Sequence, residues 1–504
     1  MPTWEVTVNE RQGKWILRIL VALGLVALAF YFEWWYRPGR FLSPPLALAL
    51  ALAAIYNWVQ LVGNWMLYLA ARRRSLPPLP PNHLTVDVFV TAYNEPFDLI
   101  EQSLTAAHAM RGSHRTWLLD DGHDPALSRF AERLGVGYLT RANRQDAKAG
   151  NINAALARTN GDIVVIFDVD HVPTPDFLEK SLGYFSDPQI GFVKVMLTFR
   201  NGAESWVACA AGESSLDFYN PTSIGADGIG SATLIGSNAL IRRQALEAIG
   251  GYKPGLAEDL ATSIELHAAG WRSAYVAEPL APGLAPPDLS AWFTQQLKWA
   301  RGVFELLLTA YPRLFLRLTW GQRLSYAVRM TYYWIGPAVA VHLCLTIALL
   351  LWGSLIARID FFEYLLRICP LACLMVVIRQ TALYFWRHSS TTTTPLWRAM
   401  LLVYATWHVY TFAWLLAMFR VPLGFRPTPK TKLGMLNPSW LIPSLLVFAW
   451  LAWGIIYSLT LTTDQRQWLV FLFAGMQAAP QAILLWLWLT SLPNYWNTKT
   501  SVRA

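Results

Sequence analysis

The chain has 504 residues, of which 54% are hydrophobic, 14% aromatic and only 14% charged, with 25 Trp and a mean hydropathy of +0.31. That balance lies outside the range of an ordinary soluble enzyme, so a large share of the chain belongs in a membrane. The net charge of +9 gathers beside apolar runs, at Arg72, Arg73 and Arg74 and at Arg420, Arg426, Lys430 and Lys432, which fits a positive-inside bias and argues against nucleic acid as a partner. Cys209, Cys344, Cys369 and Cys373 show no metal-ligand spacing, and three of them fall in apolar runs, so no disulfide framework is expected.

The first apolar run, about Trp15 to Tyr36, is long enough to cross a bilayer and lacks a small-residue cleavage site, which predicts a retained span rather than a signal peptide. A second run, Leu46 to Ala70, ends at Arg72-Arg73-Arg74 on the expected cytoplasmic side, and the proline-rich Ser75 to Pro81 reads as a stiff linker. Residues 1–74 thus form a two-helix membrane region. In 75–287 short strands alternate with helices and no run reaches membrane length, which predicts a soluble α/β domain. Val86–Ala92, Arg115–Leu119 and Ile163–Phe167 read as strands. Helices are expected after Pro96, from Lys148 to Ala157, behind Thr174-Pro175-Asp176, near Arg242 and from Glu258 to Ala269. Gly236-Ser237-Asn238 is expected between an apolar strand and the helix near Arg242.

Residues 288–320 carry amphipathic stretches, Asp288–Gly302 and Phe304–Leu318, expected to lie along the membrane surface. Apolar runs then fill 321–419 and 439–504, at about Leu324–Leu355, Phe361–Trp386, Trp397–Phe419, Trp440–Leu459 and Trp468–Leu489, with an interfacial loop at 420–438. Seven spans would leave the basic loop Arg420–Lys432 on the side opposite the soluble domain. A split of Leu324–Leu355 at Gly336-Pro337 into two short tilted helices is therefore expected, giving eight. Arg379, Gln380 and His408 are costly in lipid and are expected to line a cavity, unless Arg379 pairs locally.

The strand Ile163–Phe167 reads as buried on both faces yet ends in Asp168-Val169-Asp170. Alternation along a strand points residues i and i+2 the same way, so both carboxylates reach one divalent cation or one diphosphate beyond the carboxyl edge, where open α/β sheets bind ligands. The first strand ends in Tyr93-Asn94-Glu95-Pro96 and the second in Asp120-Asp121-Gly122. Three polar endings on one edge define a candidate site.

Taken in order, these endings resemble the inverting, processive family-2 glycosyltransferases of the cellulose synthase type. Asp120, Asp168 with Asp170, Glu258-Asp259 and Gln295-Gln296-Leu297-Lys298-Trp299 look like the family's separated carboxylates and Gln-Gln/Arg-x-Arg-Trp signature. Tyr93 to Pro96 and Lys148-Ala149-Gly150-Asn151 look like its nucleotide and diphosphate segments, Gly236-Ser237 like its acceptor-site turn, and Phe425-Arg426-Pro427-Thr428-Pro429-Lys430 like its gating loop. The similarity runs from about Trp15 to Leu492.

The resemblance implies a GT-A-like glycosyltransferase domain, with a Rossmann-like mixed sheet, inserted in an α-helical multi-pass bundle of the inner membrane and facing the cytoplasm. It implies transfer from a UDP-sugar to a growing polysaccharide, cellulose-like or of another β-linkage such as 1,3, with export through the bilayer and with possible envelope partner subunits. Tyr93 and Asp120 would hold the uridine, and Asp168 and Asp170 would act on the diphosphate and its Mg2+ or Mn2+. Asp259, beside Glu258, would be the catalytic base, Lys298 a cation at the leaving diphosphate and Trp299 a platform for the terminal sugar. Glu95, Lys148, Gly236, Ser237, Gln295, Gln296, Thr428 and Lys430 would complete the substrate site.

The chemistry agrees. A carboxylate-held cation and a nearby lysine stabilise a departing diphosphate, and one carboxylate suffices to deprotonate the hydroxyl in a direct inversion. Three departures stand out. Lys298 replaces an arginine fork, Pro427 replaces a valine, and Val193 to Phe199 occupies the place of the family's Gln-Thr-Pro segment. Control by cyclic di-GMP through a tail domain is not expected. The competing reading is a non-processive transferase moving one sugar to a lipid acceptor.

Overall fold

The computed structural model describes residues 10–41, 43–79, 84–352, 360–388, 396–424, 436–461 and 466–501. Its sheet contains β1 (Val86–Ala92), β2 (Arg115–Asp120), β3 (Gly137–Leu139), β4 (Ile163–Asp168), β5 (Ile190–Val195), β6 (Ala239–Arg242) and β7 (Arg272–Val276). The strand order is β3-β2-β1-β4-β6-β5-β7. β1 runs parallel to β2 and β4, β2 to β3, and β5 to β7, whereas β6 is antiparallel to both β4 and β5. From β1 the chain moves outward through β2 and β3 and then returns to β4 on the other side of β1. This opens a crevice beyond the carboxyl ends of β1 and β4. It is the mixed GT-A-like sheet that the resemblance implies.

Alternation explains the apolar strands. Val88, Val90, Val165 and Phe167 enter one core with Ile100 and Leu104, while Phe89, Val164 and Ile166 enter another with Ala149 and Ile152. Two local expectations change. Thr174-Pro175-Asp176 heads turns and the 3-10 segment Leu182–Ser186 rather than an α-helix, because Thr174 Oγ1 donates to Asp176 Oδ1 at 2.6 Å instead of capping a helix. Gly236-Ser237-Asn238 precedes a strand, β6, rather than following one. The irregular stretch before it bonds to the helix Glu258–Ala268 instead, Leu234 N donating to Ser263 Oγ at 3.2 Å.

Among the described residues, six stretches are long and apolar enough to cross a membrane: Glu10–Trp35, Pro44–Ala70, Trp320–Trp352, Phe362–Trp386, Pro438–Tyr457 and Phe471–Ser491. The expected split at Gly336-Pro337 is absent. Pro337 sits in the first turn of Ile335–Trp352, where its missing N–H costs little, and a 3-10 turn, Tyr332–Trp334, continues the path from Trp320–Met330. Gly336 marks a close helix crossing instead: a Cβ there would meet the Trp407 carbonyl oxygen at 2.6 Å.

The remaining run is bent by 47° between Trp397–Ala405 and Trp407–Met418. At its start Arg398 Nη1 donates to Glu213 Oε1 at 2.8 Å, and past its end Arg301 Nη2 donates to the Val421 carbonyl at 3.1 Å. Between these points Trp292 donates to Thr406 Oγ1 at 2.9 Å and Tyr410 to Gln296 Oε1 at 3.0 Å. The pair therefore lies along the helix Leu289–Leu308 and begins and ends against elements of the sheet side. Read as re-entrant, it leaves six candidate crossings and returns Arg420 to the side of the sheet, so the positive-inside rule is met without eight spans. Arg379 pairs locally, its Nε standing 3.3 Å from Asp217 Oδ2, and Gln380 is exposed rather than lining a cavity. His408 is buried edge-on to Phe293, with ring centroids 5.4 Å apart.

The sheet domain is seated on the second long helix. Helix Ser223–Gly228 crosses the end of Pro44–Ala70 so closely that a Cβ on Gly225 would stand 2.0 Å from the Leu67 carbonyl oxygen, and one on Gly228 2.0 Å from that of Ala70. Arg74 Nε closes the joint on Asp227 Oδ2 at 2.7 Å.

Candidate active site

Register brings the strand endings level: Thr91 of β1 pairs with Asp168 of β4, and Ala92 with Asp120 of β2. Past β4, Asp168, Asp170 and His171 offer ligand atoms all within 4.8 Å of one another. Leu284 N donates to Asp170 Oδ2 at 3.3 Å, and Arg200 Nη1 holds the Asp170 carbonyl at 2.9 Å. The buried His171 ring has its Nδ1 3.5 Å from Asp170 Oδ1, and neither ring nitrogen has a hydrogen-bond partner among the described residues. Two carboxylates with such an imidazole suit a divalent cation of the Mg2+ or Mn2+ type. Sequence reasoning passed over His171, although it directly follows the two aspartates.

Lys148 Nζ stands 2.6 Å from Asp168 Oδ1. Burial works against the ammonium, but Asp168, Glu258 and Asp259 outweigh it and hold Lys148 above the ordinary lysine pKa. Burial first and Asp170 second push Asp168 up, and the charge and hydrogen bond of Lys148 together with His171 more than offset them, so that Asp168 stays below the usual carboxylate value. The loop that presents Lys148 is strained: Asp146 and Ala147 have φ of 61° and 43°. Such non-glycine residues cost of order 1–3 kcal/mol each and persist only where their surroundings fix them. Arg141 supplies that restraint. It grips Asp121 with Nε and Nη2 at 2.8 Å each, and donates to the Gln145 and Ala147 carbonyls at 2.6 and 2.7 Å. Neither Arg141 nor the role of Asp121 was found in the sequence; the second aspartate of Asp-Asp-Gly is the signal.

Glu258 and Asp259 open the helix Glu258–Ala268. Leu260 N donates to Asp259 Oδ1 at 2.7 Å, and Gly236 N donates to Asp259 Oδ2. Ser237 Oγ accepts the Asp168 N–H at 2.9 Å. One turn thus ties the expected base to the end of β4. Burial pushes the Asp259 carboxyl up, and the Gly236 N–H and Lys148 only partly restore it. Glu258 is pushed up to about 7, by burial first and the adjacent Asp259 second. A carboxylate tuned upward in this way is fit to take a proton.

Asp120 is fully buried, and its oxygens are largely taken up by its own loop and by β3: Gly122 N donates to Oδ1 at 2.6 Å, and Asp124 N and the Tyr138 OH of β3 donate to Oδ2 at 2.8 Å each. Tyr93 is exposed, with the Arg144 guanidinium 5.5 Å over its ring, and Glu95 Oε2 accepts the Tyr93 N–H at 2.5 Å. The helix Leu289–Leu308, capped by Asp288, buries Gln295 and Gln296, half-buries Lys298 and exposes Trp299. Gly302 lets this helix lie against the backbone before Glu258, a Cβ there reaching Ala257 N at 2.8 Å, and the Lys298 charge favours the ionised form of Glu258. Lys298 and Glu258 are therefore brought together, whereas Gln296 is engaged by Tyr410 of the re-entrant pair. Thr428 and Lys430 lie outside the described residues.

Residues 81–302 match the family described as glycosyltransferase like family 2, and residues 247–426 that described as cellulose synthase. The chain carries a family-2 glycosyltransferase domain that runs on into a cellulose synthase region. It is 33% identical over 68% of its length to the cellulose synthase catalytic subunit [UDP-forming] of Pseudomonas fluorescens (strain SBW25), and 34% identical over 66% to that of Xanthomonas axonopodis pv. citri (strain 306). In each case it spans 48% of the relative, about half its length. A mannosyltransferase from Pyrobaculum calidifontis, solved with GDP-Man and Mn2+, aligns with a TM-score of 0.52 and 19% identity over 75% of this chain and 99% of that one, which shows a shared fold.

Proposed function

We propose that the protein is a membrane-embedded, inverting, processive glycosyltransferase that builds a β-glucan from UDP-glucose in the cytoplasm and passes it through its own helices across the inner membrane. The observation that carries this reading is the Gly236-Ser237 turn. Through Gly236 it holds Asp259, and through Ser237 it holds the end of β4 with its Asp168, Asp170 and His171 group. A proton acceptor and a diphosphate site are thereby locked at one separation.

Mg2+ or Mn2+ held by Asp168, Asp170 and His171 would supply positive charge to the leaving diphosphate. Lys148, kept charged by its carboxylate neighbours, adds to it. Asp259 takes the proton of the acceptor hydroxyl as that oxygen attacks the anomeric carbon, and a single displacement inverts the configuration. Tyr93 offers a face to the uracil, Trp299 one to the terminal sugar, and the helix bearing Trp299 lies between the base and the re-entrant pair.

Incubating the purified protein with radiolabelled UDP-sugars and Mg2+ or Mn2+, then sizing the products and digesting them with linkage-specific glucanases, tests this. A long β-glucan from UDP-glucose is expected. Single-sugar products on lipid would favour the non-processive reading, and no transfer from any UDP-sugar would remove the enzyme assignment.

A further inference from the structure

Lys194 is the next-to-last residue of β5, opposite Ala239 of β6, in a strand whose residues are all buried. Its side chain is 1% exposed, and its Nζ donates to the Ser237 carbonyl and lies 6.0 Å from the Tyr219 ring centroid. Among the described residues no carboxylate is within ion-pair distance of it. An ammonium buried this way is costly, and packing alone would favour an aliphatic residue here, as at its strand neighbours Val193 and Val195. What Lys194 touches is the turn on which the site depends. Two residues receive three restraints: Ser237 O from Lys194, Ser237 Oγ from the Asp168 N–H, and Gly236 N on Asp259.

We infer that Lys194 is a positioning residue for the transfer reaction: from beneath the site it fixes the Gly236-Ser237 turn and presents a positive charge to Asp259. The inference rests on the proposed function. The charged groups facing Lys194 are Asp259 and Asp168, which favour its ammonium, and Lys148, which opposes it. Burial pushes its pKa down to about 7, so it is cationic across the acid side of the pH range. A neighbouring cation favours the ionised carboxylate, so loss of that charge raises the pKa of Asp259.

The test compares Lys194→Gln, which keeps a donor for the Ser237 carbonyl but not the charge, with Lys194→Met, which keeps neither. The readouts are the pH profile of kcat, KM for UDP-glucose, and calorimetric binding of UDP with Mn2+ to the full-length protein. Lys194→Gln is expected to leave KM within about twofold, to lower kcat about tenfold near neutral pH and to move the acid limb up by about one pH unit. Lys194→Met is expected to lower kcat about a hundredfold and to weaken UDP binding as well, because the segment at Asp168 loses its anchor. A lysine with only a structural part would lower thermal stability in both variants and leave the acid limb in place, and that result overturns the inference. Should Lys194→Met fail to fold, the Lys194→Gln limb decides alone. An inactive wild type overturns the function and this inference together, whereas an active wild type with unmoved limbs overturns the inference only.

Discussion

Two adjacent half-buried carboxylates resist full ionisation, since each disfavours the charge of the other and desolvation disfavours both. Glu258, pushed up to about 7, and Asp259, raised in the same direction, therefore hold protons at a pH where exposed carboxylates have lost them. As the proposed base, Asp259 has to be ionised to accept a proton, so kcat should fall toward acid pH, by about tenfold per unit, along a limb that lies above the ordinary carboxylate range. Glu258→Gln removes the like charge and should move that limb to lower pH in a pH–rate profile. Asp259→Asn should cost about 10²–10⁴ in kcat, with UDP binding retained. His171→Ala should raise the half-saturating Mn2+ concentration at least about tenfold, read from a metal titration of activity. At this scale the sequence was legible where chemistry contradicts its surroundings. Asp168 and Asp170 stand out because an apolar strand ends in charge. Arg141 and Lys194 do not, because their meaning lies in partners, Asp121 and Ser237, remote in the chain and joined only by folding.

Strand and helix identities followed from period and length, which is why β1, β4 and the first two long helices fall close to their expected bounds. The turns after His171 and the placement of β6 depended on side-chain bonds that no periodicity encodes. The run Trp397–Phe419 reads as a span from its sequence, and its 47° bend fits either a broken span or a re-entrant pair, because an apolar stretch against lipid and one against other helices have the same composition. Only the contacts of Glu213 with Arg398 and of Arg301 with Val421 distinguish them. The crossing of Ser223–Gly228 over Pro44–Ala70 is likewise set by backbone proximity. Gly225→Ala inserts a methyl where 2.0 Å separates it from a carbonyl oxygen. It should destabilise the protein by about 1–3 kcal/mol, seen as a lower Tm in detergent, with less effect on chemistry in the molecules that remain folded.

The arrangement of the whole chain across the bilayer turns on whether Trp320–Trp352 crosses once. If it does, Asp360 lies on the side opposite the sheet domain while Arg420 shares the side of that domain. Single cysteines placed at Asp360 and Arg420 in a cysteine-free background should then react with an impermeant thiol reagent from opposite faces of sealed vesicles. Labelling of both from the face of the sheet domain would restore the eight-span arrangement, and labelling of both from the other face would make the bent pair Trp397–Met418 a seventh span. The meeting of main chain with main chain at Gly225 and Gly228 leaves no compressible layer of side chains there. The sheet domain and the second long helix are accordingly expected to tilt together, so a thinner or thicker bilayer would reorient the candidate site itself, and under the proposed function lipid thickness becomes a lever on the rate of transfer.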